Sequence, residues 1–252
     1  MTRMTDINRY TREYLRHYEE DSFELHAIAE RRTRVLHSVR KYPHESILEV
    51  GCGVEPCFLF FEDYKTYAVV EPSSEFVQHA RRGAEGKPHV RVVQGFLEEV
   101  VDSLRAQGAF EFIIVSSLLH EVPDPSALLQ AVRRLATPST TVHINVPNVY
   151  SFHRLLALEM GLIRSLFEPS ATELRFQRHT RFDRESLLKV VADNGFRVLH
   201  FETYLVKPFT HDQMDALLRH GIIDLKTLAA LGAMTKYLPD MGCEMFVEVR
   251  AG

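Results

Sequence analysis

The chain has 252 residues, enough for one sizeable hydrophobic core with a modest lid, and its 45% hydrophobic and 25% charged residues exclude a disordered or fibrous chain. A net charge of −4 with no long Lys/Arg tract argues against a nucleic-acid footprint. No apolar run is long enough to span a bilayer, and the amino terminus lacks the apolar core of a signal peptide. Three cysteines, Cys52, Cys57 and Cys243, have no metal-ligand spacing and read as reduced thiols in a cytoplasm.

Residues 6–42 carry a helical pattern, with Tyr10, Tyr14 and Tyr18 followed by Leu25, Ile28, Ala29, Val35, Leu36 and Val39. They predict one or two amphipathic helices. Tyr14 and Tyr18 lie one turn apart on the same face, either as a core-facing stripe or as contacts to a ligand. Next comes Ile47-Leu-Glu-Val-Gly-Cys-Gly-Val-Glu-Pro56, an apolar strand running into a Gly-x-Gly turn and then a helix start. Gly51 and Gly53 can take backbone angles that a Cβ opposes, and they let a ligand approach the main chain. A second apolar run, Tyr67-Ala-Val-Val-Glu71, ends in a carboxylate placed to accept hydrogen bonds from both ribose hydroxyls of a nucleoside. Together the turn and the acidic strand end predict an adenosine-containing ligand.

Which ligand is narrowed by what the turn lacks. A nicotinamide dinucleotide loop needs a third glycine, where Pro56 stands, and no Gly-Lys-Ser/Thr follows as in a phosphate-binding loop. No Tyr-x-x-x-Lys pair of a short-chain dehydrogenase follows the fourth strand in a suitable place.

Beyond Glu71, Pro72-Ser73-Ser74 caps a helix through Phe76, Val77 and Ala80. His89–Val93 reads as a third strand leading to Gly95-Phe96-Leu97, and Phe110–Ser116 as a fourth, leaving through Ser116-Ser-Leu-Leu-His-Glu-Val-Pro-Asp124. Thr140–Val146 reads as a fifth. A helix starting near Ser151 places His153 and Arg154 in its first turn, where the dipole disfavours basic residues, so they point to a ligand. Arg175, Arg178, His179 and Arg181 follow closely and offer guanidinium forks for an anionic acceptor, or else a solvated basic face. Asp183–Asn194 reads as a helix, Phe196–Val206 as a sixth strand, residues 210–238 as amphipathic helices and Glu244–Arg250 as the last strand.

The order of these motifs resembles the class I S-adenosylmethionine methyltransferases of small-molecule type. Glu49, Gly51 and Gly53 match the family's first motif, with Glu55 in place of its third glycine. His120-Glu121-Val-Pro-Asp124 resembles the loop after its fourth strand with the two leading residues transposed. Asn145, Asn148, the Ser151-Phe-His-Arg154 segment and Gln177-Arg-His179 resemble bacterial methyltransferases of surface-polysaccharide and secondary-metabolite pathways.

The resemblance implies a Rossmann-like α/β fold with a seven-stranded sheet in a single domain over residues 1–252. Within it, 1–45 are a helical cap, 46–148 the cofactor-binding core, 149–182 an insertion after strand five on the substrate side, and 183–252 the rest of the sheet with its helices. It implies S-adenosylmethionine held by Glu49, Gly51, Cys52, Gly53, Glu71, Pro72, Gly95, Phe96, Leu97, Ser116 and Ser117. It implies a cytoplasmic enzyme that methylates a small polar metabolite, oxygen in preference to nitrogen, on a sugar, sugar nucleotide or phosphorylated intermediate. No metal, nucleic acid or membrane is implied, and a homodimer is allowed.

A hydroxyl acceptor needs a base, and imidazoles titrate in the working range, so His153, His179 and His120 are the candidates. Tyr14, Tyr18, Asn145, Asn148, Arg154 and Arg178 are the candidate substrate contacts. A catalytically silent protein of the same fold that binds S-adenosylmethionine, and an RNA, protein or N-methyltransferase, are the competing readings.

Overall fold

The computed structural model describes residues 6–20 and 22–252, apart from the side chains of residues 17–22. Two helices, α1 (Ile7–Glu20) and α2 (Ser22–Lys41), precede a sheet whose strands are β1 (Ser46–Val50), β2 (Thr66–Glu71), β3 (Val90–Gln94), β4 (Phe112–Ser116), β5 (Thr141–Pro147), β6 (Phe196–Tyr204) and β7 (Glu244–Ala251). Their order across the sheet is β3-β2-β1-β4-β5-β7-β6. Strands β1 to β5 are mutually parallel, and β7 runs antiparallel between β5 and β6. This is the Rossmann-like seven-stranded arrangement that the motif order implies.

The central strands read as continuous apolar runs because both faces of the sheet are covered. Alternation divides them: Leu48, Val50, Ile113 and Val115 face one core, while Ile47, Val69, Phe112 and Ile114 face the other. The first core is covered by α4 (Leu97–Arg105), α5 (Pro125–Leu135) and α8 (Arg184–Asp193). On the second face, α3 (Ser74–Gly83) contributes Ala80 and α2 contributes Val35 and Val39. Helix α2 also buries Ala27 against Tyr204 and Phe246, and Phe23 against α9 (His211–Arg219) and α10 (Leu225–Ala233).

The helix expected directly after the glycine turn is replaced by a single 3-10 turn, Cys57–Leu59. The chain must cross from Val50 to Thr66 within residues 51–65, and Pro56 with the run Cys57–Phe61 breaks that short span. Phe58 and Phe61 are buried where helix side chains would stand, beside Val35 and Val39 of α2.

Other helix starts follow their caps. Ser73 accepts the Phe76 amide at the head of α3, and Asp124 accepts the amides of Ser126 and Ala127 with Pro125 in the first helical position of α5. Residues 149–182 hold α6 (Phe152–Glu159) and α7 (Ala171–Arg175). Their two ends meet in a bridge between Asn148 and Phe182, where the Val149 amide donates to the Phe182 carbonyl at 2.9 Å, so the insertion closes on itself.

Candidate active site

Loops leaving β1 to β4 converge at the carboxyl edge of the sheet, where open α/β folds bind ligands. Gly51 has φ +73° and donates its amide to the Val70 carbonyl at 2.8 Å. A Cβ on it would come within 3.2 Å of Leu118, so the turn after β1 and the loop after β4 are in close contact. Gly53 has φ +59°, and a Cβ there would face the Tyr14 hydroxyl of α1 at 3.8 Å. Both conformations favour glycine.

Two buried carboxylates flank this turn. Glu71, 4% exposed, accepts the Ser73 amide at 2.9 Å. Burial pushes it up from 4.5 to about 7, against the backbone amides of Ser73, Gly53 and Cys52 that pull it down. Glu49 accepts the Cys57 amide on both oxygens, at 3.1 and 3.0 Å, and the Tyr67 hydroxyl at 2.7 Å. Burial raises it to about 7 as well, against Tyr67 and Cys57.

The segments Gly51–Gly53, Glu71–Pro72, Gly95–Leu97 and Ser116–Ser117, with Glu49, line one cavity of about 470 Å³, a size suited to a small-molecule cofactor and its substrate. Gly95 has φ +149°, and Phe96 follows as the N-cap of α4, 37% exposed, with its ring outside the core. Ser117 has φ +56°, a conformation costly for a side-chain-bearing residue. Asn145 secures it: the Asn145 side-chain oxygen accepts the Ser117 amide at 2.8 Å and the Ser116 hydroxyl at 3.1 Å.

The same cavity is also bounded by Tyr10 and Tyr14 of α1, Glu24 and Arg31 of α2, Glu121 after β4, and Arg178 of the insertion. Charges here are matched. Arg31 donates to Glu244 at 3.0 Å, Arg178 Nε lies 3.6 Å from Glu121, and His211 Nε2 lies 3.0 Å from Glu24. Burial works against the charge of Glu121, but His120, Arg178 and Tyr10 outweigh it and hold the group below the ordinary carboxylate range. Phe176 meets the rings of Tyr10 and Tyr14 edge-on at 6.4 Å, and Gln177 exchanges hydrogen bonds with the Asp6 backbone, tying the insertion to α1.

Every residue that the sequence assigned to the cofactor borders this cavity, whereas of the other candidates with described side chains only Tyr14 and Arg178 do. His120 is 2% exposed behind Glu121, its Nε2 3.5 Å from the carboxylate, and burial lowers its pKa. His153 stands apart beside Ser151, at 3.1 Å, and burial, then Lys207 and His211, hold it well below the usual imidazole value. His179 contributes its backbone amide to the His120 carbonyl at 3.0 Å, and its ring does not line the cavity.

Arg154 serves the insertion itself. It donates to the Leu166 and Glu168 carbonyls at 2.6 Å and pairs with Glu173 at 3.5 Å, which explains a basic residue in a first helical turn without a ligand. Asn148 donates to the Asp240 and Gly242 carbonyls, and Asn145 sits beneath the cavity floor. The side chain of Tyr18 lies outside the described residues. The pattern missed Tyr10, Glu24, Arg31 and Glu121 as wall residues. A signal was present for two of them: Glu24 and Arg31, seven positions apart, share the inward side of an amphipathic helix.

Among the described residues no three His, Cys, Asp or Glu side chains are grouped to hold a metal, and no described helix is long and apolar enough to cross a membrane. The glycine turn and the buried Glu71 carboxylate suit an adenosyl group, since the turn admits close backbone approach and the carboxylate offers acceptor lone pairs to a diol.

Fold and site together define a nucleoside-cofactor enzyme of the methyltransferase class. The chain belongs to the methyltransferase-domain family, whose model matches residues 14–201, and it is a class I methyltransferase that takes S-adenosylmethionine as methyl donor. It is similar to a S-adenosylmethionine-dependent methyltransferase from Thermotoga maritima, described as a possible histamine N-methyltransferase, at 16% identity over 96% of this chain and 98% of that one, with a TM-score of 0.59. It is also similar to the N-methyltransferase NodS from Bradyrhizobium japonicum WM9 in complex with S-adenosylhomocysteine, at 10% identity over 96% and 98%, with a TM-score of 0.57. The [4+2]-cyclase SpnF matches at 18% identity over 86% of this chain and 80% of that one, with a TM-score of 0.54, so the shared fold does not dictate the reaction. No curated protein matches the sequence significantly.

Proposed function

We propose that the protein transfers a methyl group to a hydroxyl oxygen of a small polar metabolite, with a sugar or sugar-like polyol as the class of acceptor. The observation that carries this reading is that one cavity is lined both by Glu71 and the glycine turn and by Tyr10, Glu121 and Arg178, polar groups from α1, the loop after β4 and the insertion. When bound, S-adenosylmethionine supplies an electrophilic methyl on a positively charged sulfur. In this reading Glu71 accepts the ribose hydroxyls, Phe96 and Leu97 border the adenine, and Gly51–Gly53 lie along the amino-acid end. Tyr14 closes the cavity above Gly53. The chain's own contribution is placement and exclusion of water, since alignment of nucleophile and methyl supplies much of the rate in such displacements.

A phosphorylated acceptor is less well supported. Arg154 and Arg181 are both engaged by Glu173, and Arg178 by Glu121, so these three guanidinium groups of the expected clamp already face carboxylates. Cytoplasmic residence belongs to the same reading, supported by three buried cysteines without disulfides.

The test is calorimetric titration with S-adenosylhomocysteine, followed by incubation with S-adenosylmethionine and a panel of sugars, polyols and amines read by mass spectrometry. Gain of one methyl by a hydroxyl compound is the expected result. Binding without turnover on any compound favours a catalytically silent relative, and methylation confined to amines replaces oxygen by nitrogen.

A further inference from the structure

We propose that Arg32 is a positioning residue for the cofactor: from α2 it grips Glu55, two residues past Gly53, and so fixes the path of the glycine turn. Affinity for the adenosyl ligand then depends on an ion pair outside the turn itself. The inference rests on the methyltransferase reading of the cavity and adds a determinant of cofactor affinity to it.

The segment after the turn has little backbone bonding to hold its course. Among the described residues neither Val54 nor Glu55 makes a backbone–backbone hydrogen bond, and a single 3-10 turn follows in place of a helix. Pro56, at φ −55° and ψ 144°, is extended and has no amide to donate. Backbone bonds resume at Leu59 and Phe60, whose amides donate to the Pro56 and Cys57 carbonyls.

Side chains from α2 hold what the backbone leaves loose. Arg32 Nη2 donates to Glu55 Oε2 at 2.5 Å, and the same guanidinium lies 3.5 Å over the centroid of the Phe60 ring. One planar group thus grips the chain on both sides of the bend, by a charge-assisted hydrogen bond and by stacking. Arg32 is itself well anchored. Val35, Leu36 and Val39 follow it by three, four and seven positions on the same helix face, and they pack into the core that holds Phe58 and Phe61. Arg32 and Glu55 also border the cavity, so the clamp stands beside the ligand space.

The paired side chains are 18% and 36% exposed, which puts the pair toward the strong end of surface ion pairs. Without it the binding-competent turn is populated only in part, and apparent affinity falls by that fraction. A guanidinium that bound the cofactor directly would behave differently. Glu55 would then compete for it, and neutralising Glu55 would preserve or improve binding.

The test is calorimetry of S-adenosylhomocysteine with the full chain as wild type, Arg32→Gln, Glu55→Gln and the double variant, each also melted without ligand to report folding. Either single change should weaken binding about three- to fivefold. The double variant should bind no worse than the weaker single one, since both changes remove the same clamp. Arg32→Lys, which keeps the charge without the planar fork, should fall between wild type and Arg32→Gln, and it replaces the neutral variant if that one does not fold. A role in overall stability alone would lower the melting temperature and leave the affinity of the folded variants unchanged, which overturns the proposal. Loss of affinity in Arg32→Gln with none in Glu55→Gln overturns it too, by placing the guanidinium on the ligand. If wild type does not bind S-adenosylhomocysteine, the methyltransferase reading itself has failed; if it binds and all variants match it, only the clamp has.

Discussion

Glu49 and Cys57 close the glycine turn between them: both oxygens of the carboxylate accept the Cys57 amide, at 3.1 and 3.0 Å. The bond bridges from the end of β1 to the 3-10 turn that stands in for a helix. It gives the acidic residue of the first motif a structural task, bracing the loop from below, in addition to its place on the cavity wall.

The buried Glu49 carboxylate has a pH signature. Burial raises Glu49 from 4.5 to about 7, so between those values the native state holds a proton that the unfolded chain has released, and stability falls as pH rises through the window. The full effect is at most about 3 kcal/mol. Glu49→Gln removes it, so urea melts should show the variant gaining stability relative to wild type between pH 5 and pH 7.5. Comparing the two chains cancels His143, which burial pushes down to about 4 and which acts in the opposite direction below its ordinary value. A stability difference independent of pH would show that Glu49 is ionised throughout.

Glu71 shares the raised value of about 7, again through burial. Ribose hydroxyls donate to the ionised form best, so affinity for S-adenosylhomocysteine should rise with pH through 7, with proton release on binding below it. Glu71→Ala should cost about 1–3 kcal/mol of binding. Glu71→Gln should lose the pH dependence. Calorimetry in buffers of different ionisation enthalpy reads both, and equal affinity in all three proteins would remove Glu71 from the site.

Asn145 supports the cavity floor through four hydrogen bonds, accepting from Ser116 and Ser117 and donating to the Tyr204 hydroxyl at 2.7 Å and Glu244 at 3.0 Å. Asn145→Ala leaves buried partners unsatisfied and releases the positive φ of Ser117. A loss of about 2–4 kcal/mol in stability is expected, together with weaker cofactor binding. Chemical denaturation and calorimetry on the same variant check the two effects; weaker binding at full stability would return Asn145 to the list of direct contacts.

Arg154 gives the opposite pattern. Its guanidinium holds the Leu166 and Glu168 carbonyls, so Arg154→Ala should loosen residues 152–175 in hydrogen exchange while leaving S-adenosylhomocysteine affinity within about twofold. A selective loss of methyl transfer with unchanged exchange would instead put Arg154 in contact with substrate.

The part of the cavity around the glycine turn was legible because its chemistry is local. Gly51 and Gly53 are needed where φ is positive, and Glu71 must follow its strand directly, so consecutive residues carry the information. The rest of the cavity wall is assembled from α1, α2, the loop after β4 and the insertion, segments far apart in the chain. Periodicity places Tyr14 on a helix face but does not say which loop that face meets. His153 and Arg154 show the cost of reading such a region locally: a dipole mismatch pointed to a ligand, and the partners turned out to be Ser151, Glu173 and two carbonyls of the same insertion.

The succession of strands along the chain, the glycine turn and the acidic strand ends are legible in the sequence alone, because apolar runs and backbone permissiveness are set over a few residues. Tertiary structure decided which carboxylate and which arginines reach the cavity, and it replaced an expected helix by a 3-10 turn packed under α2. The reason is physical: burial, ion pairing and desolvation depend on neighbours that only the folded chain brings together.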